Sequence, residues 1–120
     1  MGYTYATVKV CNPRELSRSF KVRLLVDTGS TYTWIKRSKL EKIGVYPSDR
    51  RRFKTINNKV IERDIGEAVV ECLGKRATTV VVFAEESDHE VLGLHALEGL
   101  GLEVDPVSRQ LREIEVILAI

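Results

Sequence analysis

Apolar and polar residues alternate with a period of two through most of the chain, which predicts strands rather than long helices. Residues 4–10 alternate and read as a first strand. Cys11, Asn12 and Pro13, with the polar stretch to Ser19, read as a turn and loop. Residues 20–26 return as a second strand. It starts half-buried and ends in the apolar run Leu24-Leu25-Val26, so it enters the core just ahead of Asp27. Residues 31–35 are rich in β-formers and read as a third strand.

The pattern then changes. Ser38-Lys39-Leu40-Glu41 has the spacing of a capping box, in which a hydroxyl and a carboxylate satisfy free backbone N–H groups at a helix start. With Gly44 as the stop, a short helix is expected over about 39–43. From Arg51 the chain is β again. Residues 51–56 and 59–63 flank Asn57-Asn58, two residues that tolerate the positive φ of a tight hairpin turn. Residues 67–73 and 77–83 flank Gly74-Lys75 as another hairpin, and Val80-Val81-Val82-Phe83 reads as a central strand buried on both faces. After the acidic loop 85–88 come Val91-Leu92-Gly93, a short helix at about 94–100 stopped by Gly101, and a last hairpin of 102–104 and 110–115 around Asp105-Pro106. Leu40-Glu41-Lys42-Ile43-Gly44-Val45 resembles Leu97-Glu98-Gly99-Leu100-Gly101-Leu102, each after an apolar strand and a Gly-bearing turn. Two similar half-units suggest a pseudo-two-fold within the chain.

Length and composition set bounds on this picture. A chain of 120 residues with 43% apolar content suits a single domain over residues 1–120 and is too short for two ordinary ones. The net charge of +2 is near balance and argues against a nucleic-acid partner. Cys11 and Cys72 have no short spacing and are expected to be reduced, buried thiols; His89 and His95, with no cysteine pair nearby, make a poor metal site. Residues 1–9 lack the long apolar run of a signal peptide, and the apolar segment 114–120 is far below spanning length. The expectation is a cytoplasmic protein with no membrane partner. Segment 114–120 reads as a strand of either the core or a dimer interface, and the interface is preferred because a bare apolar edge is an aggregation liability.

The candidate chemistry lies in Val26-Asp27-Thr28-Gly29-Ser30. An apolar strand ends in a carboxylate, and a turn follows in which Gly29 permits close backbone approach and an N–H can reach the carboxylate. Thr28 and Ser30 add hydroxyls. One Asp is a weak catalyst of amide hydrolysis. Two in contact share a proton, so one can act as base on a water while the other polarises the carbonyl. A chain with one such turn finds its second carboxylate in another copy of itself, across a two-fold axis.

Asp27-Thr28-Gly29-Ser30 after an apolar run, then a strand, a hairpin pair, and Leu92-Gly93 with Leu97 about 65 residues later, resembles the retropepsin-like aspartic proteases, the small single-domain prokaryotic relatives of retroviral proteases in particular. The resemblance covers roughly residues 5–115. It implies an all-β acid-protease barrel with one or two short helices, working as a homodimer on peptide or protein substrates with no metal and no cofactor. By that resemblance Asp27, Thr28 and Gly29 are the catalytic turn, with Thr28 bracing the two active-site loops across the dimer. Ser30, Leu92 and Gly93 border the substrate, with Leu92-Gly93 crossing beneath the turn, and Asn57 and Asn58 form the tip of a flap over it. Two departures stand out. Ser30 replaces the usual Ala of retroviral enzymes, and a hydroxyl bonded to the carboxylate would favour its ionised form. The flap tip lacks the retroviral glycines. The alternative is therefore a weak or inactive dimer that binds extended peptides, or a purely structural dimerisation domain.

The remaining conspicuous residues receive plainer readings. Trp34 is expected in core or interface packing rather than in a substrate contact. Arg50-Arg51-Arg52 with Lys54 reads as a solvated strand start, with contact to an acidic substrate or nucleic acid as the alternative, and the two histidines are expected at the surface or partly packed. Glu85, Glu86 and Asp88 read as a solvated loop; placed beside the cleft, as in the family, they would favour basic substrate side chains.

Overall fold

Strands β1 (Tyr5–Asn12) and β2 (Glu15–Asp27) form a hairpin that turns at Pro13-Arg14. Residues 15–19, read from sequence as loop, continue β2 because they pair back onto β1 through Ser19 opposite Cys11 and Glu15 opposite Asn12. Polarity had masked them: this end of β2 is exposed, so the strand needs no apolar face there. The computed structural model describes residues 2–119.

The chain continues through β3 (Thr33–Lys36), α1 (Arg37–Lys42), β4 (Asp49–Lys54), β5 (Val60–Cys72), β6 (Lys75–Ala84), β7 (Val91–Gly93), α2 (Leu94–Leu100), β8 (Leu102–Val104) and β9 (Leu111–Glu113). Strand order is β1-β2-β7-β3-β6-β5-β4, and β1 also pairs with β5. That extra pairing closes a ring of six strands, with β4 left outside it on the far edge of β5. Closure removes edges that would otherwise template aggregation. The fold is all-β with two short helices, as the alternation predicted.

The pseudo-two-fold is visible in the pairing. β3 runs parallel to β6, and β7 runs parallel to β2. Each half-unit, β2-β3-α1 and β6-β7-α2, thus lends its second strand to the other's first. Both helices stop on a glycine in the left-handed region, Gly44 at φ 79° and Gly101 at φ 70°. After α1, the N–H groups of Gly44 and Val45 donate to the carbonyls of Glu41 and Leu40, closing the helix end.

The expected capping box does not form. Helix α1 begins at Arg37, so Ser38 already lies inside the first turn and makes no cap bond. The N–H of Lys36 donates instead to the carboxylate of Glu90, and Glu41 lies 3.7 Å from Arg37 one turn earlier. Residues 59–63 and 67–73, read as separate strands, are one continuous 13-residue strand, β5, that passes through Gly66 without a break. A side chain at Gly66 would meet the Tyr46 carbonyl and the Phe83 ring, so the glycine marks a close crossing rather than a turn.

Val8, Val10, Leu24, Ile35, Leu40, Phe83 and Leu92 are fully buried and form the centre of the core. Each contributes roughly 1.5–3 kcal/mol by leaving water. Cys11 and Cys72 are free and buried, and burial pushes both thiols up from their ordinary range. Segment 114–119 is not a strand: Val116, Ile117 and Leu118 are 79–89% exposed in the single chain, and Ile120 lies outside the described residues. Among the described residues no helix is long and apolar enough to cross a membrane.

Candidate functional site

The functional turn is held from below. Strands β2 and β7 run side by side, with Val26 opposite Leu92 and Asp27 opposite Gly93. Leu92 is fully buried, which fixes β7 in the core, so the end of β2 is brought out at a set height. Beyond Asp27 the chain turns. The Gly29 N–H donates to Asp27 Oδ1 at 3.0 Å, and the Ser30 N–H donates to the Asp27 carbonyl at 3.1 Å. The carboxylate is exposed, and no cation pairs with it among the described residues.

The segment after the turn is clamped to the start of α2. The N–H groups of Leu94 and His95 donate to the carbonyls of Ser30 and Thr31 at 2.8 and 3.0 Å. Thr33, fully buried, accepts the Gly93 N–H on its Oγ1 at 3.0 Å. Gly93 itself touches the Tyr32 carbonyl group so closely that no side chain fits there, and a β-carbon would also lie 2.9 Å from the Ser30 carbonyl oxygen. The expected crossing of Leu92-Gly93 beneath the turn is therefore present as packing and hydrogen bonds. Thr28 is exposed in the single chain. The Ser30 hydroxyl does not reach the carboxylate: it donates to the Tyr32 carbonyl at 2.9 Å, bracing the turn instead.

Above the turn projects a ribbon made of β4 and the first residues of β5, paired from Asp49 opposite Ile65 to Lys54 opposite Val60. Its tip is residues 55–59, where the Thr55 N–H donates to the Lys59 carbonyl at 2.8 Å and Asn58 adopts φ 65°. One Asn supplies the left-handed residue that glycines supply elsewhere. Asn57 and Asn58 are exposed at this tip, as is Ile56, fully. Because the Thr55–Lys59 pair is hydrogen-bonded, alternation turns the main-chain groups of Arg52 and Lys54 to the open edge of β4.

Between ribbon and turn lies a cleft of about 940 Å³ bounded by Asp27, Gly29, Ser30, Tyr32, Trp34, Phe53 and residues 87–89, among others. Its wall is aromatic. Phe53 of β4 packs edge-on against Trp34 at 5.1 Å and Tyr32 at 6.3 Å. Trp34, expected in core or interface packing, is half-buried and lines this cleft. Phe53 and Tyr32 do not stand out in the sequence, and Arg51 stands out there only as part of a solvated strand start. The available signal was the period of two in β4, which puts Arg51 and Phe53 on one face.

Two ionic ties hold the ribbon to the barrel. Arg63 of β5 donates to both oxygens of Asp88 at 2.7 and 3.0 Å, with both side chains largely buried, and the Glu85 N–H donates to the same carboxylate at 2.8 Å. Asp64 receives Arg37 at 2.6 Å and Arg50 at 2.9 Å. The Arg63 guanidinium holds the Asp88 carboxyl below the usual carboxylate range, and Arg37 then Arg50 do the same for Asp64. Arg50 is thus an ion-pair residue rather than a merely solvated one.

The chain is similar to known proteins in sequence pattern and fold. The family described as Aspartyl protease matches residues 7–96. The solution structure of simian foamy virus (mac) protease superposes with a TM-score of 0.54 over 78% of this chain and 91% of that one, at 17% sequence identity. No curated protein matches the chain in sequence. A family match over three quarters of the residues, on a closed barrel with its Asp-Thr-Gly turn beneath a β-ribbon, identifies the chain as a member of the aspartyl protease family with the retropepsin-like fold.

Proposed function

We propose that the protein is a homodimeric aspartic peptidase whose site is completed by the Asp27 of a second copy. The observation that carries this reading is one exposed Asp27 carboxylate, with no cation paired to it among the described residues, at the floor of an open cleft in a chain with a single Asp-Thr-Gly sequence. Two such turns meeting across a two-fold would bring their carboxylates together, with Thr28 of each bracing the other's loop.

A water held between the two carboxylates loses a proton to the ionised member as its oxygen bonds to the scissile carbonyl carbon. The protonated member gives its proton to the carbonyl oxygen, leaving a neutral tetrahedral diol. In the collapse the newly protonated carboxyl gives its proton to the leaving nitrogen, a diol hydroxyl gives its proton to the ionised carboxylate, and C=O re-forms as the C–N bond breaks. The Gly29 N–H, donating to Asp27 Oδ1, orients the carboxyl group. The open edge of β4, at Arg52 and Lys54, supplies main-chain partners for an extended substrate, which joins as an added strand. Asn57 and Asn58 cover it from the tip, Ser30 lines the floor, and the buried Leu92 and Gly93 support that floor from beneath without lining the cleft.

The test is cleavage of a mixed peptide library from about pH 3 to 8 by the wild type and Asp27→Asn, at concentrations where sedimentation shows a dimer. Cuts that vanish in the variant support the peptidase. A dimer that makes no cuts but binds the same peptides would replace it with a peptide-binding module.

A further inference from the structure

The charge lining the cleft is not what the acidic loop 85–88 suggests. Asp88 is the loop's carboxylate on the cleft, and both its oxygens are taken by Arg63. Glu85 lies 3.5 Å from Arg37, outside the cleft, and Glu86 does not line it. A preference for basic substrate side chains therefore has no free anion to rest on, apart from the reacting Asp27.

Arg51 differs. It shares the cleft-facing side of β4 with Phe53, and its Nη1 donates to the Tyr32 hydroxyl at 3.0 Å. That bond accepts on a neutral oxygen, so it orients the guanidinium without neutralising it. The Tyr32 ring is in turn fixed edge-on by Phe53 and by His95 at 5.9 Å. Among the described residues, the one carboxylate paired with Arg51 is Asp49, two residues back on the same strand, which accepts from Nη2 at 3.5 Å and is 62% exposed. Arg51 itself is 45% exposed, which leaves N–H groups open to the cleft. A planar guanidinium held by one neutral bond and one long, solvent-exposed contact to Asp49 keeps donors free to receive a carboxylate.

Building on the peptidase reading, we propose that Arg51, positioned by Tyr32, is a specificity residue that selects an acidic side chain, Glu or Asp, in the substrate. The adjoining Trp34–Phe53 wall takes an apolar neighbour. An extended substrate places alternate side chains on one face, so an acidic and an apolar residue two apart would fit the two positions together.

The test uses peptide sets identical except for Glu, Gln or Lys at each position in turn around a cleaved bond. For the wild type, Glu is expected to exceed Lys by about tenfold or more in kcat/KM at one position, a magnitude suited to a half-exposed charge-assisted contact. Arg51→Glu should invert the Glu-to-Lys ratio at that position, and Arg51→Lys should retain its sense. The ratio is internal to each variant, so a general loss of activity does not disturb it. An unchanged ratio in Arg51→Glu, or a wild type that prefers Lys throughout, overturns the proposal. If the wild type cuts no peptide, the peptidase reading fails, and the same Glu-to-Lys ranking measured by binding calorimetry decides the role of Arg51 separately.

Discussion

Gly93 lies directly against the carbonyl of Tyr32, with Asp27 as its neighbour across the parallel β2–β7 ladder. The contact places the floor of the site and the strand that carries Trp34 at a separation that only a hydrogen can bridge. Gly93→Ala would force backbone apart at the centre of the fold. The expected result is loss of cooperative thermal unfolding, a cost above about 4 kcal/mol. A well-folded Gly93→Ala protein, judged by its melting curve, would show that this contact is not needed.

Thr33→Val keeps the shape of a fully buried side chain and removes the acceptor for the Gly93 N–H. An orphaned buried donor costs about 1–3 kcal/mol. Urea unfolding should show that loss with an unchanged m-value, because the folded and unfolded surfaces are the same.

The Arg63–Asp88 tie makes the ribbon sensitive to acid. Asp88 has a folded-state pKa below its unfolded value, so its contribution is fully present above the unfolded pKa and is lost as pH falls through the folded one. Asp88→Asn should cost about 1–2 kcal/mol at neutral pH and less as the pH drops below about 4. Melting temperatures of wild type and variant, measured from pH 7 to 3, should therefore converge. Parallel curves would exclude this linkage.

Phe53→Ala removes the ring that touches both Trp34 and Tyr32 from the underside of the ribbon. Its effect should fall on substrate binding, with KM raised about tenfold, and on Trp34 emission, which should shift to the red as the cleft opens. Stability should drop by only about 1–2 kcal/mol, since Phe53 is half-buried.

The exposed tail offers a test of assembly. Replacing Val116, Ile117 and Leu118 together by Ser should leave the barrel's far-ultraviolet spectrum intact, because these side chains are 79–89% exposed in the single chain. Sedimentation should then give the mass of one chain, and cleavage should disappear with the dimer. A triple variant that remains dimeric would remove the tail from the interface.

The parts of the molecule legible in its sequence are those written in local chemistry. The Asp27-Thr28-Gly29 turn, helix α2 with its Gly101 stop, and the buried run of β6 all rest on a few neighbouring residues. The errors share a cause. Residues 15–19 are polar yet paired, the Ser38 cap lost to a carboxylate 52 residues away on Glu90, and Ser30 found a carbonyl nearer than the carboxylate. In each, a partner supplied by tertiary structure outcompeted the one that spacing suggested. Trp34 and Phe53 belong to the same class, since only the folding of β4 over β3 makes them a wall.

Strand β5 belongs to the barrel from Ile65 onward, where β6 and then β1 hold it, and to the ribbon before that, where β4 is its sole partner. The ribbon is therefore not hung on a loop: it is the overhanging length of a beam whose other length is built into the wall, and only side chains such as Arg63, Asp64 and Phe53 tie it down. Its motion is bending of a ladder, resisted most near Ile65 and least near the tip. Amide hydrogen exchange along one uninterrupted strand should accordingly run from the slowest class at Val70 to the fastest at Val60, so that a single element spans nearly the whole range of local stability in the protein.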